Sequence, residues 1–140
     1  MANWVKGKTK VLSMASAAST AYTVGDLIVY PASQDNTVIR ATSTTIKLMG
    51  ISLTAKPVTD TSTNPILVEV PVEAGCEFEC AVTGTLVATD VGGYFDLSDH
   101  VTVDRAATLV DAVLCTGFIS ATLGRFMLPS FAGIHSETYP

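Results

Sequence analysis

Few residues of this 140-residue chain have the types and spacing that chemistry needs. The two histidines, His100 and His135, are far apart, and neither stands at metal-ligand spacing from a cysteine or carboxylate. Cys76 and Cys80 are four apart in an extended run, which sets their α-carbons roughly 13 Å apart, beyond the reach of a disulfide. With Cys115 in a separate apolar run, all three read as small buried hydrophobes in a reducing compartment. Glu77 and Glu79 share one face, roughly 7 Å apart at the α-carbons. A glycosidase can use a carboxylate pair at such a distance, but such pairs face aromatic-rich clefts, and this chain has one tryptophan and 7% aromatic residues. Glu77 and Glu79 therefore read as a solvated or partner-facing side. The sequence has no Gly-rich phosphate loop ending in Lys-Ser/Thr and no Gly-x-Ser-x-Gly elbow. No catalytic residue, cofactor or metal is expected, and the chain does not read as an enzyme.

Whatever these side chains do, strands must position them. Val, Ile and Thr abound, apolar runs are short and bounded by Gly, Pro, Asn or Asp, and no helical period persists beyond ~10 residues. The sequence predicts strands over 9–14, 27–30, 37–42, 46–53, 66–72, 76–82, 94–97, 100–103, 112–120 and 124–128. The second and third of these form a hairpin around the turn cluster Ser33-Gln34-Asp35-Asn36. Gly50 interrupts its strand and predicts a bulge or a close backbone crossing. Pro71 points to an edge position. Alternation is clearest over 76–82, where Cys76, Phe78, Cys80 and Val82 face one side and the two glutamates the other. Residues 86–91 suggest one short helix ended by Gly92-Gly93, and 56–65 an exposed polar loop. Roughly nine or ten short strands imply an all-β fold, a single compact β-barrel or sandwich. It is expected over residues 23–128, preceded by an N-terminal arm and first strand (1–22) and followed by a C-terminal tail (129–140).

Composition sets the surroundings. Hydrophobic residues make up 48% of the chain and charged residues only 15%, against a usual charged share of about 25%. No window approaches ~18 uninterrupted apolar residues, so a membrane span is not expected. The alternative is a surface largely covered by neighbouring subunits. Eight Lys and Arg against a net charge of −5 argue against nucleic-acid binding. Residues 1–10 lead into no apolar segment with a small-residue cleavage site, so no secretory leader is expected. Lys6, Lys8 and Lys10 would share one face of an extended segment. Together with Trp4 they form a candidate interface in the arm, matched by Phe131, Ile134 and Tyr139 in the tail, Glu77 and Glu79 completing the set.

Two resemblances bear on function. Gly93-Tyr94-Phe95-Asp96-Leu97 resembles the Ala-Gly-Tyr-Asp-Leu signature of the trimeric all-β dUTPases, with one residue too many between Gly and Asp. The Gly-Arg-Ser-Ser signature and the Gly- and Arg-rich C-terminal motif of that family are missing, so this small-enzyme reading ranks last. A second likeness spans residues 23–128. The order Gly25-Asp26-Leu27-Ile28-Val29, Val38-Ile39-Arg40-Ala41-Thr42, Leu48-Met49-Gly50-Ile51-Ser52 resembles the small capsid decoration (cement) proteins of tailed bacteriophages. Val70-Pro71-Val72 before Gly75, Asp90-Val91-Gly92 before Phe95-Asp96-Leu97, and Gly117-Phe118-Ile119 to Gly124-Arg125-Phe126 extend it. The resemblance implies a compact β-barrel, often trimeric, that is made in the host cytoplasm. It would bind the major capsid protein on the capsid exterior and stabilise the shell. A head-fibre, tail or receptor-binding β module is the alternative.

Overall fold

A computed structural model describes residues 1–29, 37–45 and 47–129. The fold is all-β, as the strand pattern predicts, with eleven strands among the described residues: β1 (Asn3–Lys6), β2 (Thr9–Ser16), β3 (Leu27–Val29), β4 (Thr37–Arg40), β5 (Leu48–Ser52), β6 (Pro65–Pro71), β7 (Glu77–Thr83), β8 (Tyr94–Leu97), β9 (Thr102–Asp104), β10 (Val113–Ser120) and β11 (Leu123–Met127). The expected short helix over 86–91 is a single 3₁₀ turn, Ala88–Asp90.

The strands divide between two sheets. Strands β2 to β6 close a barrel in the order β2-β4-β3-β5-β6, antiparallel except for the short parallel pairing of β2 with β4. The second sheet runs β1-β7-β11-β10-β8-β9, and a parallel β7–β9 pairing brings it back onto itself. The first strand thus belongs with the C-terminal half of the chain. Within residues 1–22, β1 pairs with β7, and β2 pairs with β6 from Thr9 to Ala15.

The division explains two readings at once. Strands β3 and β5 are apolar without alternation because both of their faces are covered. Ile28 and Met49 point into the barrel, where they meet Val38, Ile66, Val68 and Tyr22. Leu27, Leu48 and Ile51 point the other way and join Phe78, Leu97, Val113 and Phe126 in a core shared with the second sheet. Burying each such aliphatic side chain contributes about 1.5–3 kcal/mol. The alternation expected over 76–82 holds, with Phe78 and Cys80 fully buried and Glu77 and Glu79 half-buried on the opposite face.

Two glycines set the geometry. At Gly50 a Cβ would lie 2.2 Å from the main-chain oxygen of Glu69, so β5 and β6 approach closely there. The β3–β5 register also slips between Ile28 and Val29, so both a bulge and a crossing occur at this point. Gly7, with φ of +91° and no room for a Cβ beside Cys76, turns the chain out of β1 toward the barrel.

Candidate functional site

The two sheets meet around a fully buried carboxylate. Asp26 opens β3 and accepts hydrogen bonds from the Thr23 backbone N–H (2.8 Å) and hydroxyl (2.6 Å). From the second sheet, the loop before β9 delivers His100, whose Nδ1 lies 2.9 Å from Asp26 Oδ1 and whose backbone oxygen accepts from Leu27 N–H at 2.7 Å. The other imidazole nitrogen, Nε2, is 3.2 Å from Arg40 Nη1. A guanidinium offers only donors, so Nε2 is the acceptor and the ring proton sits on Nδ1, facing Asp26. Arg40 also lies 3.9 Å from Asp26 Oδ2. Carboxylate, imidazole and guanidinium form a chain in which each member fixes the next.

The outer end of this chain floors a groove of about 450 Å³ between the sheets, lined by Arg40, Thr42 and Ser43 from the barrel and Ser98, Asp99 and His100 from the second sheet. The lone pair of His100 that a general base would use is occupied by Arg40, so the arrangement presents a donor-rich floor rather than a proton acceptor. Sequence reading missed this cluster. Gly25-Asp26 reads as a strand opener, and 74 residues separate Asp26 from His100. A signal was present in Asp26 itself, an acidic residue immediately before the apolar run of β3.

Three further polar clusters are built into loops. Lys56, expected in an exposed loop, is buried: its Nζ donates to Ser16 Oγ (2.7 Å), Ala17 O (3.1 Å) and Ser62 O. Buried Asp96 accepts from the backbone N–H groups of Leu109, Val110 and Asp111, which pins the loop before β10. Asp90 takes both Nε and Nη2 of Arg105, at 3.0 and 3.1 Å, and the Val87 N–H at 2.9 Å. The Arg105 hydrogen bonds and, next, the Val87 N–H hold the Asp90 carboxyl below its ordinary value.

The interface residues expected from sequence are dispersed. Trp4 is engaged within the chain: its indole N–H donates to Glu69 O of β6 at 2.9 Å, and its ring meets Phe78 of β7 edge-on, 5.4 Å between centroids. Lys6 ends β1 of the second sheet and Lys10 lies in β2 of the barrel, with Gly7 turning the chain between the two. Lys6 lies 3.4 Å from Glu77, whose other oxygen accepts from Thr116 Oγ1 at 3.0 Å, and Glu79 lies 3.5 Å from Arg125. The expected acidic face is therefore neutralised by its own neighbours, in pairs exposed enough to contribute little stability. Lys8 and Lys10 are exposed. Phe131, Ile134, Tyr139 and His135 fall outside the described residues.

Cys76, Cys80 and Cys115 are free and buried, as their spacing predicts. Burial pushes the Cys80 thiol up to about 12 and raises that of Cys115. Among the described residues no three His, Cys, Asp or Glu side chains gather as a metal site would require. No protein-family model matches the chain, and no curated protein sequence does.

Proposed function

We propose that this protein is a structural component of a virion, binding the major capsid protein on the outside of a tailed-phage capsid as a homotrimer and stabilising the shell. The observation that carries the reading is the apolar outer surface. On the barrel, Val11, Leu53 and Leu67 are exposed; on the second sheet, Phe118 and Ile119 of β10 are exposed, and Leu109 is 92% exposed. With only 15% charged residues around them, these side chains suit contacts with neighbouring subunits better than water. The resemblance of residues 23–128 to capsid decoration proteins supports the same role. Symmetry would repeat each modest contact across a shell, so avidity supplies retention that one contact lacks. Phe131, Ile134 and Tyr139 stay candidate anchors in this reading.

Quantitative mass spectrometry of purified particles from the source tests it. Copies of this chain near one per major capsid protein, or a simple fraction of that, are expected. A few copies per particle would instead make it a vertex, head-fibre or tail part, and absence from particles would overturn the reading.

A further inference from the structure

We propose that the groove between the two sheets is a carboxylate-binding site, and that its occupant is an acidic side chain of the shell subunit to which this protein docks. The second half rests on the proposed function; the first half stands on the groove itself.

Arg40 carries the argument. Lys6, Arg105 and Arg125 lie beside partly exposed carboxylates, Lys56 is buried on three oxygens, and Lys8 and Lys10 stand exposed. Arg40 instead lies beside the fully buried Asp26 and lines the groove. His100, itself held by buried Asp26, fixes one edge of the guanidinium through Nη1, and only that nitrogen has a partner among the described residues. Its side chain is 30% exposed, at the floor of a concavity rather than on a convex surface. A guanidinium held in one orientation with its remaining N–H groups open matches the planar fork of a carboxylate. Little side-chain freedom is left to lose when the partner arrives. Ser43 lines the same groove and its hydroxyl offers a further donor to a second oxygen, whereas that of Ser98 donates to Thr102 O and that of Thr42 is shared with Thr44.

Charge selects which anion fits. Asp26 lies 3.9 Å behind Arg40 and Asp99 lines the opposite side of the groove. Either anion meets the Arg40 guanidinium and both carboxylates, and the repulsion from the carboxylates weighs more on a doubly charged phosphate than on a singly charged carboxylate, so phosphate is disfavoured. Exposed Ile39 borders the groove and adds an apolar contact for the stem of a Glu or Asp side chain.

The test has two arms. In the first, the isolated full chain is titrated with sodium acetate, and separately with inorganic phosphate, at constant ionic strength, while the Arg40 Nε–H and His100 ring signals are followed by NMR. Acetate is expected to shift both saturably in the millimolar range, with phosphate no different from chloride. Absence of a saturable acetate response, or an equal response to phosphate, overturns the site. Arg40→Gln should abolish the response. Because that change also frees His100 Nε2, Ser43→Glu on the exposed rim is the second variant: it places a carboxylate in the groove and should block acetate with the fold unchanged.

In the second arm, wild type and both variants are added to shells stripped of this protein. Each variant is expected to bind about tenfold more weakly, the loss that removing or blocking one charged partner brings. Wild-type binding with both variants equal to it overturns the acidic-side-chain occupant and leaves the structural role standing. No wild-type binding overturns the docking role and with it the occupant, and the acetate titration then decides the carboxylate site alone.

Discussion

Asp26 is where the physics of single residues is sharpest. A carboxylate removed wholly from water is tolerated only when its oxygens are satisfied, and here Thr23 and His100 supply three hydrogen bonds. Replacing it with alanine leaves the His100 Nδ1–H and the Thr23 N–H without acceptors at the seam between the sheets. Asp26→Ala is expected to cost about 3 kcal/mol, read as a lowered urea midpoint with unchanged slope. A loss under about 1 kcal/mol would mean that water replaces the carboxylate there. Lys56 makes the same point from the opposite charge. Its three acceptors come from the end of β2 and from two separate loop positions, so its burial is not visible in the local sequence, where it sits among turn residues. What was legible locally was the pattern of small buried thiols and Phe78, because strand alternation is a nearest-neighbour property.

At the scale of elements, Gly50 shows how a sequence signal can be right for a reason that only the fold explains. An isolated glycine inside an apolar strand implied a bulge or a close crossing. The cause is the Glu69 carbonyl, which occupies the space a side chain would need. Gly50→Ala must push β5 from β6, and overpacking at backbone is expected to cost about 3 kcal/mol, measured by denaturant titration; a neutral result would show that the two strands can separate freely. The 3₁₀ turn at Ala88–Asp90 gives a pH-dependent case. In the folded chain Arg105 and the Val87 N–H hold Asp90 below its ordinary 3.8. On unfolding that carboxyl regains its ordinary affinity for protons. The clasp therefore adds stability above about pH 4 and loses it as the pH falls through the depressed folded value. The urea midpoints of wild type and Asp90→Asn should differ at pH 6 and converge in strong acid. A constant gap across that range would show that the charge on Asp90 contributes nothing. The acidic face of β7 was legible only in part at this scale. Alternation correctly put Glu77 and Glu79 on one side, but it could not reveal that Lys6 and Arg125 come from the strands flanking β7.

For the whole molecule, the decisive feature is that chain order and spatial order disagree. Strands β2 to β6 make the barrel, yet β1 leaves it and pairs with β7, so the N-terminal residues strap the two sheets together. A reading along the sequence sees an arm, because the partner of β1 lies more than 70 residues away. The shared core points the same way: Leu27, Leu48 and Ile51 of the barrel pack with Phe78, Val113 and Phe126 of the second sheet. Opening either sheet exposes part of the other, and neither retains a complete core alone. The chain should therefore unfold as one cooperative unit. Trp4 is the natural reporter, being the only tryptophan, bonded to β6 of the barrel and packed on β7 of the second sheet. Its fluorescence follows the seam, while far-UV circular dichroism follows strands throughout. In urea the two signals should trace one transition with a common midpoint. If the fluorescence change comes first and leaves most of the strand signal intact, the sheets are separable domains and the strap is only a hinge. Coincidence would instead mean that Trp4→Ala acts on folding before it can act on assembly. The role expected of Trp4 as a partner-facing anchor would then pass to the exposed residues of β2, β6 and β10.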